Sequence, residues 1–266
     1  MSGFRFQGSA FGVAGRITIP FQELIEVQAA SVLPSIGGYS SARVANFRYR
    51  DLLSFEAAQT VVTGTQTTTG DNPVWGTLIS SSIENFNLMG MVTADRIVTH
   101  IVSTQRGWPG RSETTLRGTH FENLKIAGME VTADLAVEVL NLYPTHAALK
   151  SAYPGNENVQ KLFHDDEVAA KAANAPDKLK PWLRRATPAG KEMPENNGVA
   201  SFSLVKNLTM KSSGLELWGH AIYIEGFGTV RLAEVDITPF SRSLTMLQVT
   251  LGCPVGGSVG GGGSDW

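Results

Sequence analysis

Apolar and polar residues alternate along most of the chain, which is the period of a half-buried strand. The stretches "FGVAGRITI" (11–19), "IEVQAASVL" (25–33), "SARVANFRYR" (41–50) and "LLSFEAAQTVVTGT" (52–65) carry it first, although "FQELIEV" could also open as a short helix. A polar stretch with turn signals, "TGTQTTTGDNPVWG" (63–76), predicts a loop. Between 145 and 186 the pattern changes. Ala, Lys and Leu dominate, and one to three short helices are expected, broken by Pro154, Pro176 and Pro181. Strand patterns then return in "ASFSLVKNLTM", "LELWGHAIYIE", "TVRLAEVDIT" and "SLTMLQVTLG". The chain closes on "GGSVGGGGSDW", whose composition reads as a flexible tail.

One phrase recurs: an Asn, an apolar residue, any residue, then an apolar one. It opens at Asn46, Asn85, Asn123 and Asn207, with spacings of 39, 38 and 84 residues. A turn and a second strand follow each copy, so each reads as the first arm of a hairpin. The Asn ahead of the apolar pair is expected to bond to nearby backbone and bend the chain. One hairpin cannot bury its apolar face alone, so several must stack. The expected fold is mainly β, with repeated antiparallel hairpins forming a β-sandwich; a short β-solenoid is the alternative. Residues 1–144 and 199–252 would form one β-rich domain, 145–198 a helical insert, and 253–266 the tail.

Composition narrows the function classes. Lys and Arg total 22 against 24 Asp and Glu, for a net charge of -2, so nothing marks nucleic acid as a partner. A 266-residue chain with 42% hydrophobic residues builds its core without disulfides, and its one cysteine, Cys253, cannot form one within the chain. The first residues, "MSGFRFQGSAFGVAG", lack a long apolar run, and no run is long enough for a membrane helix. The expectation is a cytoplasmic or non-classically exported protein without cofactors.

Candidate chemistry is sparse. "HDDE" offers His164, Asp165 and Asp166 as metal ligands, but acidic residues also suit a first helical turn. Asp95 and Asp134 fall at matching places in "VTAD" and could act as an acid–base pair or hold calcium; isolated turn or edge carboxylates are the plainer reading. His100, His120, His146 and His220 are scattered, and spacing assembles no Ser-His-Asp set. Gly256 to Gly260 spell G-x-S-x-G, but only six residues follow, none of them His. Trp75 and Trp108 sit in turn-like contexts and Trp266 follows the glycines. These three could stack on sugars, anchor a partner, or cap an open core.

The segments "ENFNLMGMVTADRIV", "FENLKIAGMEVTAD" and "FQGSAFGVAGRITI" resemble the bacterial β-rich proteins termed choice-of-anchor P. The resemblance implies a surface module with no established catalytic activity. Low charge, repeated strands, a glycine tether and the lack of a convincing catalytic set make the expected function a non-catalytic structural or binding protein that self-assembles into a homo-oligomer or filament. Two alternatives stand beside it: a β-pore-forming, membrane-active protein, and a hydrolase whose His and carboxylates are assembled by the fold.

Overall fold

Alternation in the sequence becomes long strands whose buried side chains face a common core. The computed structural model of the chain describes residues 4–17, 23–69, 72–107, 111–163, 192–210, 215–218, 221–251 and 255–265. The strands begin with β1 (Ser9–Ile17), β2 (Glu23–Gln28) and β3 (Ser31–Val32). A long series follows: β4 (Gly38–Tyr49), β5 (Leu53–Thr69), β6 (Asn72–Leu88), β7 (Val92–Arg106), β8 (Arg111–Thr115), β9 (His120–Glu122), β10 (Lys125–Ile126) and β11 (Met129–Leu135). Helices α1 (Val139–Leu142), α2 (His146–Ala152) and α3 (Glu157–Phe163) interrupt it. The chain returns through β12 (Ala200–Ser203), β13 (Val205–Met210), β14 (Glu216–Trp218), β15 (Ala221–Ile224), β16 (Gly228–Ile237), β17 (Ser241–Leu251) and β18 (Val255–Asp265).

The fold is a β-sandwich of antiparallel sheets with a small helical insert. One sheet runs β14-β15-β16-β17-β18-β1-β2, with β12 beside β16 and β3 beside β1; the other runs β13-β11-β10-β7-β6-β5-β4, with β8 and β9 on β7. Strands of one sheet lie over strands of the other, β1 on β5 and β6, and β18 on β6 and β7. Apolar residues of both sheets and of the insert form one cluster, including Phe86, Ile97, Tyr153, Phe163, Phe202 and Leu247. A solenoid would stack its coils along one axis; the two facing antiparallel sheets exclude it.

Hydroxyls bind the two layers together as well as apolar contact. Thr60 Oγ1 donates to the Ala29 carbonyl at 2.8 Å, and Ser81 Oγ donates to the Phe11 carbonyl at 3.0 Å. Both acceptors belong to the β1–β2 side of the opposite sheet, so buried hydroxyls satisfy carbonyls there. The layers approach closely: a Cβ on Gly64 would stand 2.7 Å from the Phe6 ring, and one on Gly12 would stand 2.9 Å from the Ala58 Cβ. The insert is tied to the core. Thr145 caps α2 by accepting from the Ala148 amide at 3.1 Å, and Phe163 meets Phe202 of β12 at 4.9 Å between ring centroids.

Three expectations change. The helix considered at 21–27 gives way to a strand, β2. The loop expected over 63–76 is mostly hairpin: β5 and β6 pair out to Thr69 and Asn72, because a run of β-branched Thr suits a strand better than its polarity suggests. The tail expected to be flexible supplies β18, paired to β17 on one side and β1 on the other. Six of its eleven residues are glycine, which weakens a strand by itself. Two flanking ladders of backbone hydrogen bonds order it in place of side-chain propensity.

Candidate functional site

The Asn tetrads lead to a row of polar residues across the second sheet. Pairing between β4 and β5 passes from Ala45–Ala57 to Phe47–Phe55, which leaves Asn46 opposite Glu56. Between β6 and β7 it passes from Glu84–Arg96 to Phe86–Ala94, leaving Asn85 opposite Asp95. The same count sets Glu56 opposite Asn85, and Asp95 opposite Asn123. Five successive chain segments thus carry Asn46, Glu56, Asn85, Asp95 and Asn123 at one level.

Backbone conformation explains the residue types. Asn46, Asn85 and Asn123 have φ of 54°, 51° and 48°, the left-handed region that Asn tolerates better than other non-glycine residues. The kink changes which alternate residue faces inward. Along β6 the buried positions run Trp75, Ile79 and Ile83 before Asn85, then Phe86 after it; along β7 they run Val92 and Ala94 before Asp95, then Ile97 and Ile101. The row itself points to solvent. Asn85 Nδ2 donates to Glu56 Oε2, and Asn123 Nδ2 donates to Asp95 Oδ2 at 2.6 Å. Consecutive hairpin tips are joined too: the Met89 amide donates to the Leu52 carbonyl at 2.9 Å, and the Ala127 amide to the Met91 carbonyl at 2.6 Å.

Asn207 departs from the other three. It has no left-handed φ; it lies within β13 opposite Asp134, and its side chain bonds to no described residue. The sequence matching of Asp95 with Asp134 fails in space as well, because Asn123 faces Asp95 on one side and the level of Thr132 on the other. The tip at Ala127-Gly128 is a two-residue turn joining Ile126 to Met129, shorter than the Leu88-to-Val92 connection, so the second arm is offset.

Other candidates fall differently. Trp75 lies inside β6, 8% exposed and stacked on Phe4 at 4.6 Å with rings 15° apart, so it cannot stack on a sugar or anchor a partner. Trp108, Trp266, His164, Asp165, Asp166, His220 and Cys253 lie outside the described residues. His100 Nε2 stands 3.3 Å from Ser80 Oγ on the outer face of β6 and β7, and burial, then the charge of His120, holds its pKa below the usual imidazole value. His120 meets one carboxylate, Glu122, at 2.9 Å, and His146 one, Glu195, at 3.2 Å. The hydrolase alternative predicts a pocket with at least one His and two carboxylates within hydrogen-bond reach, and two of the five histidines, His164 and His220, lie outside the described residues. Among the described residues, no group of three His, Cys, Asp or Glu side chains could hold a metal ion. No helix among the described residues is long and apolar enough to cross a membrane.

A further feature had no sequence signal. Among the described residues β2 pairs only with β1, and β4 only with β5. These two strands, the ends of the two sheets, run along the same side of the sandwich, with Arg50 Nη2 of the β4–β5 turn 2.9 Å from Glu23 Oε2 of β2. Leu24, Val27, Val32, Ile36 and Tyr39 all lie on this side with exposures of 53% to 90%. Large apolar side chains are mostly buried elsewhere, so their gathering along two open edges is informative.

The sequence profile of a domain of unknown function, DUF8256, matches residues 4–238. The chain belongs to the DUF8256 family. No curated protein matches it, and no solved structure does. The DUF8256 match covers the whole Asn–carboxylate row and the β2–β4 side, and stops one residue past β16. β17 and β18, which link β16 to β1, lie beyond it.

Proposed function

We propose that this DUF8256 protein is a non-catalytic structural module that assembles with further copies of itself through the β2–β4 side. The observation that carries this reading is the coincidence of two unpaired strand edges with five exposed apolar side chains. An open edge presents unpaired N–H and C=O groups to a second strand, and apolar flanks add area to the contact. β4 is twelve residues long, enough for a ladder between copies related by a two-fold axis. The inner faces are closed by packing, and the Asn–carboxylate row is largely engaged within the chain, which leaves the edges as the adhesive surface. The resemblance to choice-of-anchor P proteins suggests a bacterial cell surface as its place of work.

The test is mass in solution. Light scattering coupled to size exclusion is expected to give at least twice the 28.5 kDa of one chain, and the double variant Ile36→Asp, Tyr39→Lys to return the mass to one chain with an unchanged circular dichroism spectrum. Both sites are exposed, so the core is untouched. A parent protein that stays at the single-chain mass at all concentrations, or a variant with the parent's mass, contradicts the reading.

A further inference from the structure

A cleft of about 420 Å³ opens between the helical insert and β13, on the far side of the second sheet from β4. Its walls come from the ends of α1 and α3 and the start of β13. That size falls in the usual range of small-ligand sites, about 300–1,000 Å³.

The polar groups around it are set in advance. Asn156 is fixed by its own helix end: its Oδ1 accepts from the amides of Asn158 at 3.0 Å and Val159 at 3.2 Å. Its Nδ2 then donates to the Tyr143 hydroxyl oxygen at 2.7 Å. A phenol that accepts from an amide keeps its own proton for another partner, so Tyr143 is a donor toward the cleft. Asn158 and Asn207 also line it, and neither side chain bonds to a described residue. Each offers a donor pair and an acceptor, the match for neighbouring hydroxyl groups. Lys206 Nζ and Glu138 Oε1 form an ion pair at 2.5 Å along the rim, and Lys161 lines the cleft as well. Leu142, 64% exposed, supplies an apolar wall. Amides, a phenol donor and one apolar surface suit a ligand with hydroxyls on its edge and C–H bonds on its face.

We propose that this cleft binds a single neutral sugar residue, held by the amides of Asn158 and Asn207 and the Tyr143 hydroxyl, with its C–H face on Leu142. The departure of Asn207 from the other tetrads then has a use: its side chain is free of the row and available to a ligand. The site lies at the opposite end of the sheet from the assembly edge, so its success or failure does not depend on assembly.

The experiment is saturation-transfer-difference NMR on the full chain with methyl β-glucopyranoside, methyl β-galactopyranoside, N-acetylglucosamine and glucuronate. At least one neutral sugar is expected to give saturable transfer with Kd of about 0.1–10 mM. Asn158→Ala and Asn207→Ala are each expected to weaken it about tenfold, the loss of one hydrogen bond. Asn123→Asp, a substitution in the row, is expected to leave it unchanged. Thermal unfolding of each variant checks that it folds. Absence of saturable transfer from all the neutral sugars, transfer from glucuronate alone, or an affinity in Asn158→Ala and Asn207→Ala equal to that of the parent would each overturn the proposal.

Discussion

Asn85 and Asn207 begin the same four-letter phrase and do different work. Asn85 holds a left-handed backbone, reverses which side of β6 faces the core, and gives its amide to Glu56. Asn207 has no left-handed φ, lies beside a register shift in β13, and its amide bonds to no described residue. The difference comes from neighbours. Asn85 stands between two carboxylates on the adjoining strands, at a level where five segments all change phase. Asn207 faces Asp134 at the end of a regular ladder from Val131, next to the register shift between Asp134 and Leu135. A short motif therefore sets a tendency, and the partners across the sheet decide whether it becomes a kink.

The largest expected effect follows from forcing the wrong residue into the kink. Asn85→Val puts a β-branched side chain at positive φ and removes the bond to Glu56, and is expected to cost about 2–3 kcal/mol, or roughly 5–10 °C in Tm. Asn85→Ala loses the same bond with a smaller backbone penalty, about 1–2 kcal/mol. Asn85→Gly is expected to cost less than Asn85→Ala, because glycine accepts the conformation. This order, Val worse than Ala and Ala worse than Gly, would reverse in a normal strand position, where Val is favoured. The smallest effect is Asn207→Ala, within about 0.5 kcal/mol of the parent by urea unfolding. A loss at Asn207 as large as that of Asn85→Ala would show that the two tetrads are equivalent after all.

Much of the fold is legible in the residues. Alternation in "LISSSIENFNLMG" marks β6, and the break in it at Asn85, where an inward odd series gives way to Phe86 and Leu88, could have marked the kink. Glu56 follows Asn46 by ten positions, as Asp95 follows Asn85, which is the only sequence sign of the row's carboxylates. Other features were hidden for physical reasons. β18 carries little strand propensity, and its order comes from β17 and β1 on either side. Trp75 reads as a loop residue from "NPVWGT", but Phe4 of the N-terminal segment covers it, a contact no local pattern reveals. Exposure of Leu24, Val27 and Ile36 depends on which strands end the sheets, which alternation does not encode. The cleft joins residues from 138 to 207 and exists only once the insert has docked on β13.

The most direct test of the Asn–carboxylate row is a pair of double-mutant cycles by equilibrium unfolding, Asn123→Ala with Asp95→Ala against Asn207→Ala with Asp134→Ala. A coupling of about 1 kcal/mol is expected for Asn123 and Asp95, which share a hydrogen bond of 2.6 Å. Asn207 and Asp134 are expected to couple by less than about 0.3 kcal/mol, within measurement error. Equal couplings in the two pairs, or none between Asn123 and Asp95, would contradict the account.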